Sequence, residues 1–119
     1  MLECLKNAYL LWFQYYQILP KTHRYSLGLR VDTILIEAIE AIAAAAFLTR
    51  QEKLPFVRRA IQKIDTAKVL FLILWEAKSL KDKEYIMLSE KLLEIGKMLG
   101  GWQGQIIKQN SLDAKSGEK

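Results

Sequence analysis

Catalysis and metal binding need particular side chains, and this sequence offers few of them. His23 is the only histidine and Cys4 the only cysteine among 119 residues. Structural zinc sites take four Cys, His or carboxylate ligands, so these two residues cannot build one by themselves. A carboxylate-bridged di-metal bundle needs a Glu-x-x-His motif on each of two helices, and none occurs. A serine nucleophile needs a neighbouring base, and only His23 is available. No glycine-rich phosphate loop follows a strand, because no segment alternates with period two. The sequence predicts no catalytic residue, no metal site and no cofactor, and so a binding protein rather than an enzyme.

Charge is more informative. The formal net charge is +5, and it is unevenly spread. Residues 1–30 carry Lys6, Lys21, Arg24 and Arg30 against Glu3, a net +3. Residues 31–49 carry only Asp32, Glu37 and Glu40, a net −3. Residues 50–63 carry Arg50, Lys53, Arg58, Arg59 and Lys63 against Glu52, a net +4. Two basic blocks flank an acidic one. Lysines and arginines in such blocks neutralise phosphates without reading bases. The candidate nucleic-acid contacts are Lys21, His23, Arg24, Arg30, Arg50, Lys53, Arg58, Arg59 and Lys63. The same charge also suits the ordinary solvated surface of a basic protein.

The elements that carry these residues are helices. Leu5, Tyr9, Trp12, Tyr16 and Leu19 form one stripe in a first helix from about Leu2 to Leu19, closed by Pro20. A second helix starts near Arg24 or Ser26 and ends near Thr49. Leu27, Val31, Ile34, Ala38, Ala41, Ala45 and Leu48 form one stripe on it, and Leu35, Ile39, Ile42 and Ala46 a second. So wide a face implies burial on more than one side. A third helix opens at Pro55, a residue suited to a first turn, with Val57, Ile61, Ile64, Phe71 and Leu74 as its core stripe. From Val69 to Trp75 this helix has no polar face. A fourth helix begins at Asp82 as N-cap and carries Tyr85, Leu88, Leu92, Ile95, Leu99, Trp102 and Ile106. It either stops at Gly100-Gly101 or continues with Gly96, Gly100 and Gly104 as a groove against another helix; the apolar pattern favours continuation.

These segments predict an all-α protein, an antiparallel up-down-up-down four-helix bundle over 1–110 with a disordered tail over 111–119. In such a bundle Lys21, His23 and Arg24 mark one end, and Arg50, Lys53, Arg58 and Arg59 the other. A basic band, or a surface composed by several subunits, fits this better than one tight patch. Tyr9, Trp12 and Tyr16 read as core rather than as a base-stacking platform. The excess apolar surface predicts a homo-oligomer, its interface drawn from Phe13, Leu35, Ile39, Ile42, Leu70, Leu72, Ile73 and Trp75. The apolar runs are too short to span a bilayer, and Glu3 sits where a signal peptide avoids acids. With a lone cysteine besides, the expected location is cytoplasmic.

Two stretches resemble a known family. Leu19-Pro20-Lys21-Thr22-His23-Arg24-Tyr25-Ser26-Leu27-Gly28-Leu29-Arg30 and Leu93-Glu94-Ile95-Gly96-Lys97-Met98-Leu99-Gly100-Gly101-Trp102 are similar to the accessory variability determinant (Avd) proteins of diversity-generating retroelements. That family belongs with the four-helix-bundle proteins encoded in rRNA intervening sequences. The resemblance implies a basic bundle assembled as a ring-like pentamer. It implies binding to the element's reverse transcriptase and its template RNA, with DNA a further candidate, during mutagenic copying. By position it implicates Lys21, Arg24, Tyr25 and Arg30 in function, and Gly96, Gly100, Gly101 and Trp102 in structure. One departure is Leu74-Trp75-Glu76-Ala77, where the family pattern has Leu-Arg-Leu-Ala. An aromatic and an acid there argue against an RNA contact from that turn. The alternatives are an rRNA intervening-sequence protein of unassigned role, or a scaffold that binds only protein partners.

Overall fold

Apolar residues three and four apart can leave water together only if the backbone coils as a helix. The computed structural model describes residues 1–117, with side chains through residue 112, and helices are the only regular structure among them. Five follow one another: α1 Leu2–Gln17, α2 Lys21–Arg24, α3 Leu27–Ala46, α4 Arg50–Glu76 and α5 Asp82–Gly117. α3 packs on α1 and α4, α5 packs on α4 and α1, and the single turn of α2 lies against α3. The molecule measures 61 × 21 × 20 Å. Arg50 reaches Gln109 and Trp75 stacks on Tyr85, so α4 and α5 run in opposite directions. None of the helices is long and apolar enough to cross a membrane, among the described residues.

One core runs along the axis. Leu5, Ala8 and Trp12 enter it from α1, and Val57, Ala60, Ile64, Ala67, Phe71 and Leu74 from α4. Leu88, Leu92, Ile95, Leu99 and Ile106 enter it from α5. The breadth of the apolar face on α3 has an internal cause. Its two flanks meet α1 on one side and α4 on the other, so both stripes are largely covered within one chain. Leu35 and Ile42, expected at a subunit interface, are 2% and 1% exposed. They are core residues and offer no surface to a second copy.

The ends of the helices also differ from expectation. α4 begins at Arg50, not at Pro55, which lies inside the helix. Glu52 explains this: its carboxylate accepts the Thr49 N–H at 3.3 Å and satisfies a donor that a helix start otherwise leaves free. Asp82 is the first residue of α5 rather than its cap. Its carboxylate accepts the Trp75 indole N–H at 2.7 Å, while Glu84 takes the Lys81 N–H at 3.0 Å. α5 runs unbroken through Gly100-Gly101 to Gly117, so helix covers most of the segment set apart as a tail. Residues 118 and 119 of that segment lie outside the described residues. A methyl group placed on Gly100, Gly101 or Gly104 meets nothing within 4 Å. No groove is packed there within the chain.

Two positions carry backbone constraints. α4 ends in a Schellman arrangement: the Ser79 N–H donates to the Leu74 carbonyl at 2.8 Å and the Lys78 N–H to the Trp75 carbonyl at 2.9 Å. This motif puts the residue after the cap in the left-handed region, usually as glycine; here it is Lys78, at φ 66°. Gly28 is the opposite case. A Cβ there would stand 2.8 Å from Leu19 Cδ1 and 2.9 Å from the His23 carbonyl oxygen. The turn carrying α2 can fold back onto α3 only because residue 28 has no side chain.

Two changes test these constraints by thermal or denaturant unfolding. Lys78→Gly should raise stability by about 0.5–1 kcal/mol, the left-handed penalty less the entropy glycine loses. Gly28→Ala should lower it by about 1–3 kcal/mol, because a backbone carbonyl has to move; an unchanged midpoint would contradict the close approach.

Candidate nucleic-acid interface

The nine basic candidates divide between the two ends of the molecule and one flank. Lys21, His23 and Arg24 make up most of α2, and Arg30 lies in the first turn of α3. Arg24 is used for structure. Its guanidinium donates to the Leu19 carbonyl from Nε at 3.2 Å and from Nη2 at 2.8 Å, fixing the connection between α1 and α2. His23 meets the Ser79 hydroxyl through Nδ1, which ties α2 to the connection between α4 and α5. Lys21 and Arg30 are exposed and have no ion pair or side-chain hydrogen bond among the described residues.

At the far end and along α4 the same sorting applies. Arg59 and Lys63 both approach the Glu37 carboxylate, each at 3.6 Å. The acidic block on α3 therefore neutralises part of the basic block on α4, one turn apart on the α3 side. Arg58, next in sequence to Arg59, points elsewhere, is exposed, and has no such partner among the described residues. Arg50 Nη1 donates to Gln109 Oε1 at 3.3 Å. Lys53 holds its ammonium over the Trp102 ring, 5.6 Å from the centroid. The extension of α4 back to Arg50 is what brings these two residues onto α5. Trp102 was expected only as a structural residue; its contact with Lys53 adds an aromatic to this end, and Lys108 lies beside it. A single sequence could not pair residues 50–53 with residues 102–109 without the helix register.

The expected interface residues are also spread out. Leu72, Ile73 and Phe13 are 38%, 40% and 42% exposed. Ile39 and Leu70 are half-buried against the core, as is Trp75, whose stacking on Tyr85 at 4.9 Å occupies it within the chain. Tyr15 donates its hydroxyl to Met87 Sδ at 3.6 Å, linking α1 to α5. Val69 at 56% and Phe47 at 92% exposure extend the uncovered apolar surface.

Trp12 donates its indole N–H to Asp32 Oδ1 at 3.3 Å, across α1 and α3. Burial, then the Asp32 carboxylate hydrogen-bonded beside it, pushes the Tyr9 phenol up from 10.0 to about 12. Burial likewise raises Tyr16. Both stay neutral phenols well into alkaline solution. Among the described residues no cluster of three or more His, Cys, Asp or Glu side chains could hold a metal ion.

The Tyr9 shift has a sign that can be checked. The folded value lies above the ordinary one, so the unfolded chain releases this proton first. The stability it contributes is complete below about pH 10 and is lost as pH rises toward 12. Ultraviolet titration of the folded protein should show a late-titrating phenol that Tyr9→Phe removes. If all five tyrosines titrate together near their ordinary value, the seam is not closed as described. Compared with family models, with curated proteins and with solved structures, the chain matches none.

Proposed function

We propose that this chain is a non-catalytic accessory protein of a diversity-generating retroelement, binding template RNA and the element's reverse transcriptase to support mutagenic copying. Its four long helices would form an antiparallel up-down-up-down bundle, α2 being a turn within the first connection. The resemblance of residues 19–30 and 93–102 supports the family. The observation that carries nucleic-acid binding is the set of exposed cations without acidic partners, Lys21, Arg30 and Arg58, together with Arg50 and Lys53 beside Trp102. Such cations contact phosphates by charge and need no preformed cleft. The exposed apolar residues Val69, Leu72 and Ile73 support a homo-oligomer, for which the resemblance implies a pentamer.

RNA binding measured at rising salt tests this. Three phosphate contacts on a single strand give a slope of roughly −2 in log K against log salt, and a flat response would end the proposal. Arg58→Glu should weaken binding more than Lys81→Glu or Lys83→Glu. Arg59→Glu and Lys63→Glu should act less than Arg58→Glu, since Glu37 already engages both side chains. A sedimentation mass equal to the 13.8 kDa chain at micromolar concentration would remove the oligomer.

A further inference from the structure

A cavity of about 580 Å³ opens where α4 begins and α5 passes it. That is within the range of small-ligand sites. Three cations line it, Arg50, Lys53 and Lys108, together with Trp102, Gln105 and Gln109. No carboxylate lines it, and none pairs with these cations among the described residues. The next cavity, about 320 Å³ between α3 and α4, carries Glu37 and Glu40 against Arg59. Only the first combines unopposed positive charge with an aromatic ring.

We propose that this cavity seats one nucleotide of a single strand, its base over Trp102 and its phosphate on Arg50 and Lys108. The proposal rests on the nucleic-acid reading above and adds the place where a base is held. Phosphate alone would need only the cations. The ring and the two amides are what a base requires. Every base has a π-face that stacks on an aromatic side chain, and a glutamine amide can hydrogen-bond a base edge. Gln109 is already oriented: its carbonyl oxygen accepts from Arg50 at 3.3 Å, which leaves its N–H groups to donate. Lys53 occupies the ring, 5.6 Å from its centroid, by attraction to the π-face. An entering base takes that position, and the flexible lysine stem carries the freed ammonium to the phosphate. Leu48 and Ile106 supply the apolar wall behind.

Two measurements test the site, one of which does not depend on strand binding. In the first, adenosine monophosphate is titrated into the full chain while the Trp102 indole N–H resonance is followed. The nucleotide should move it, and inorganic phosphate at equal concentration should move it far less. In the second, an oligoadenylate and an abasic strand of equal length compete for the protein. The base-bearing strand should bind about tenfold tighter, within the range that one stacked base contributes. Trp102→Leu should erase that advantage and Trp102→Phe keep most of it. Lys108→Gln, at an exposed position, should weaken both strands together. Equal shifts with phosphate and nucleotide, or a silent indole with equal affinity for both strands, overturn the base site. If strands still bind with steep salt dependence in that case, the accessory role survives and the cavity does not. If the nucleotide moves the indole and no strand binds, the cavity stands and the accessory role falls.

Discussion

Trp12 joins three helices with one side chain. It is completely buried, lies 5.3 Å from Phe71 of α4, and donates its indole N–H to Asp32 of α3. Tyr16 stacks on its other side at 5.3 Å and 11°. A large apolar ring with one polar edge fits a core only where an acceptor waits at that edge. The register of α1 on α3 is therefore set by Asp32 as much as by the apolar stripe. Burial, with the same acid beside it, pushes the Tyr9 phenol up, and the Trp12 indole N–H holds the half-buried carboxylate. α2 then hangs from this seam. Gly28 lets the chain come close, Arg24 fixes the connection after α1 through the Leu19 carbonyl, and His23 carries the contact on to Ser79.

The fold sorts the positive charge into two kinds. Arg24, Arg59 and Lys63 have partners that the fold itself supplies, a carbonyl for the first and Glu37 for the others. Exposed ion pairs contribute little to stability, yet they decide which cations remain open to an outside anion. Lys21, Arg30 and Arg58 remain open in that sense. Arg50 and Lys53 are intermediate, held by a neutral amide and by a ring face that can each be exchanged. The acidic block on α3 thus trims the basic surface along one flank of α4 and leaves both ends positive.

The exposed apolar residues are only in part the ones that the apolar pattern singles out. Leu35 and Ile42 of α3 are covered by its own neighbours, and Trp75 by Tyr85 and Asp82. Val69, Leu72 and Ile73 on α4 stay exposed, as do Leu10 and Phe13 on α1, Leu29 and Ile36 on α3, Phe47 at its end, and Ile86, Leu93 and Ile107 on α5. A run in which every residue is apolar must expose some of them, because a helix can press only part of its circumference against two neighbours.

Composition and periodicity were enough for the helical class, for most large core side chains though not for Ala8, Ala60, Ala67 or Leu80, and for the passage of α5 through its glycines. These follow from local pattern, since residues three and four apart share a face whatever else the chain does. The two ends of the basic charge were legible for the same reason, because short connections put successive turns at opposite ends. Helix starts were less so: Pro55 marked a boundary by propensity, and Glu52 overrode it by satisfying the first turn five residues earlier. Only the tertiary structure decided which apolar stripes are internal and which cations are engaged. Leu35 looked like surface until α3 acquired two neighbours, and Arg59 looked free until Glu37 met it. The meeting of Arg50 and Lys53 with Trp102 and Lys108 also belongs to the packed state. It joins residues some fifty positions apart through the register of two opposed helices, and local sequence carries no signal for that distance.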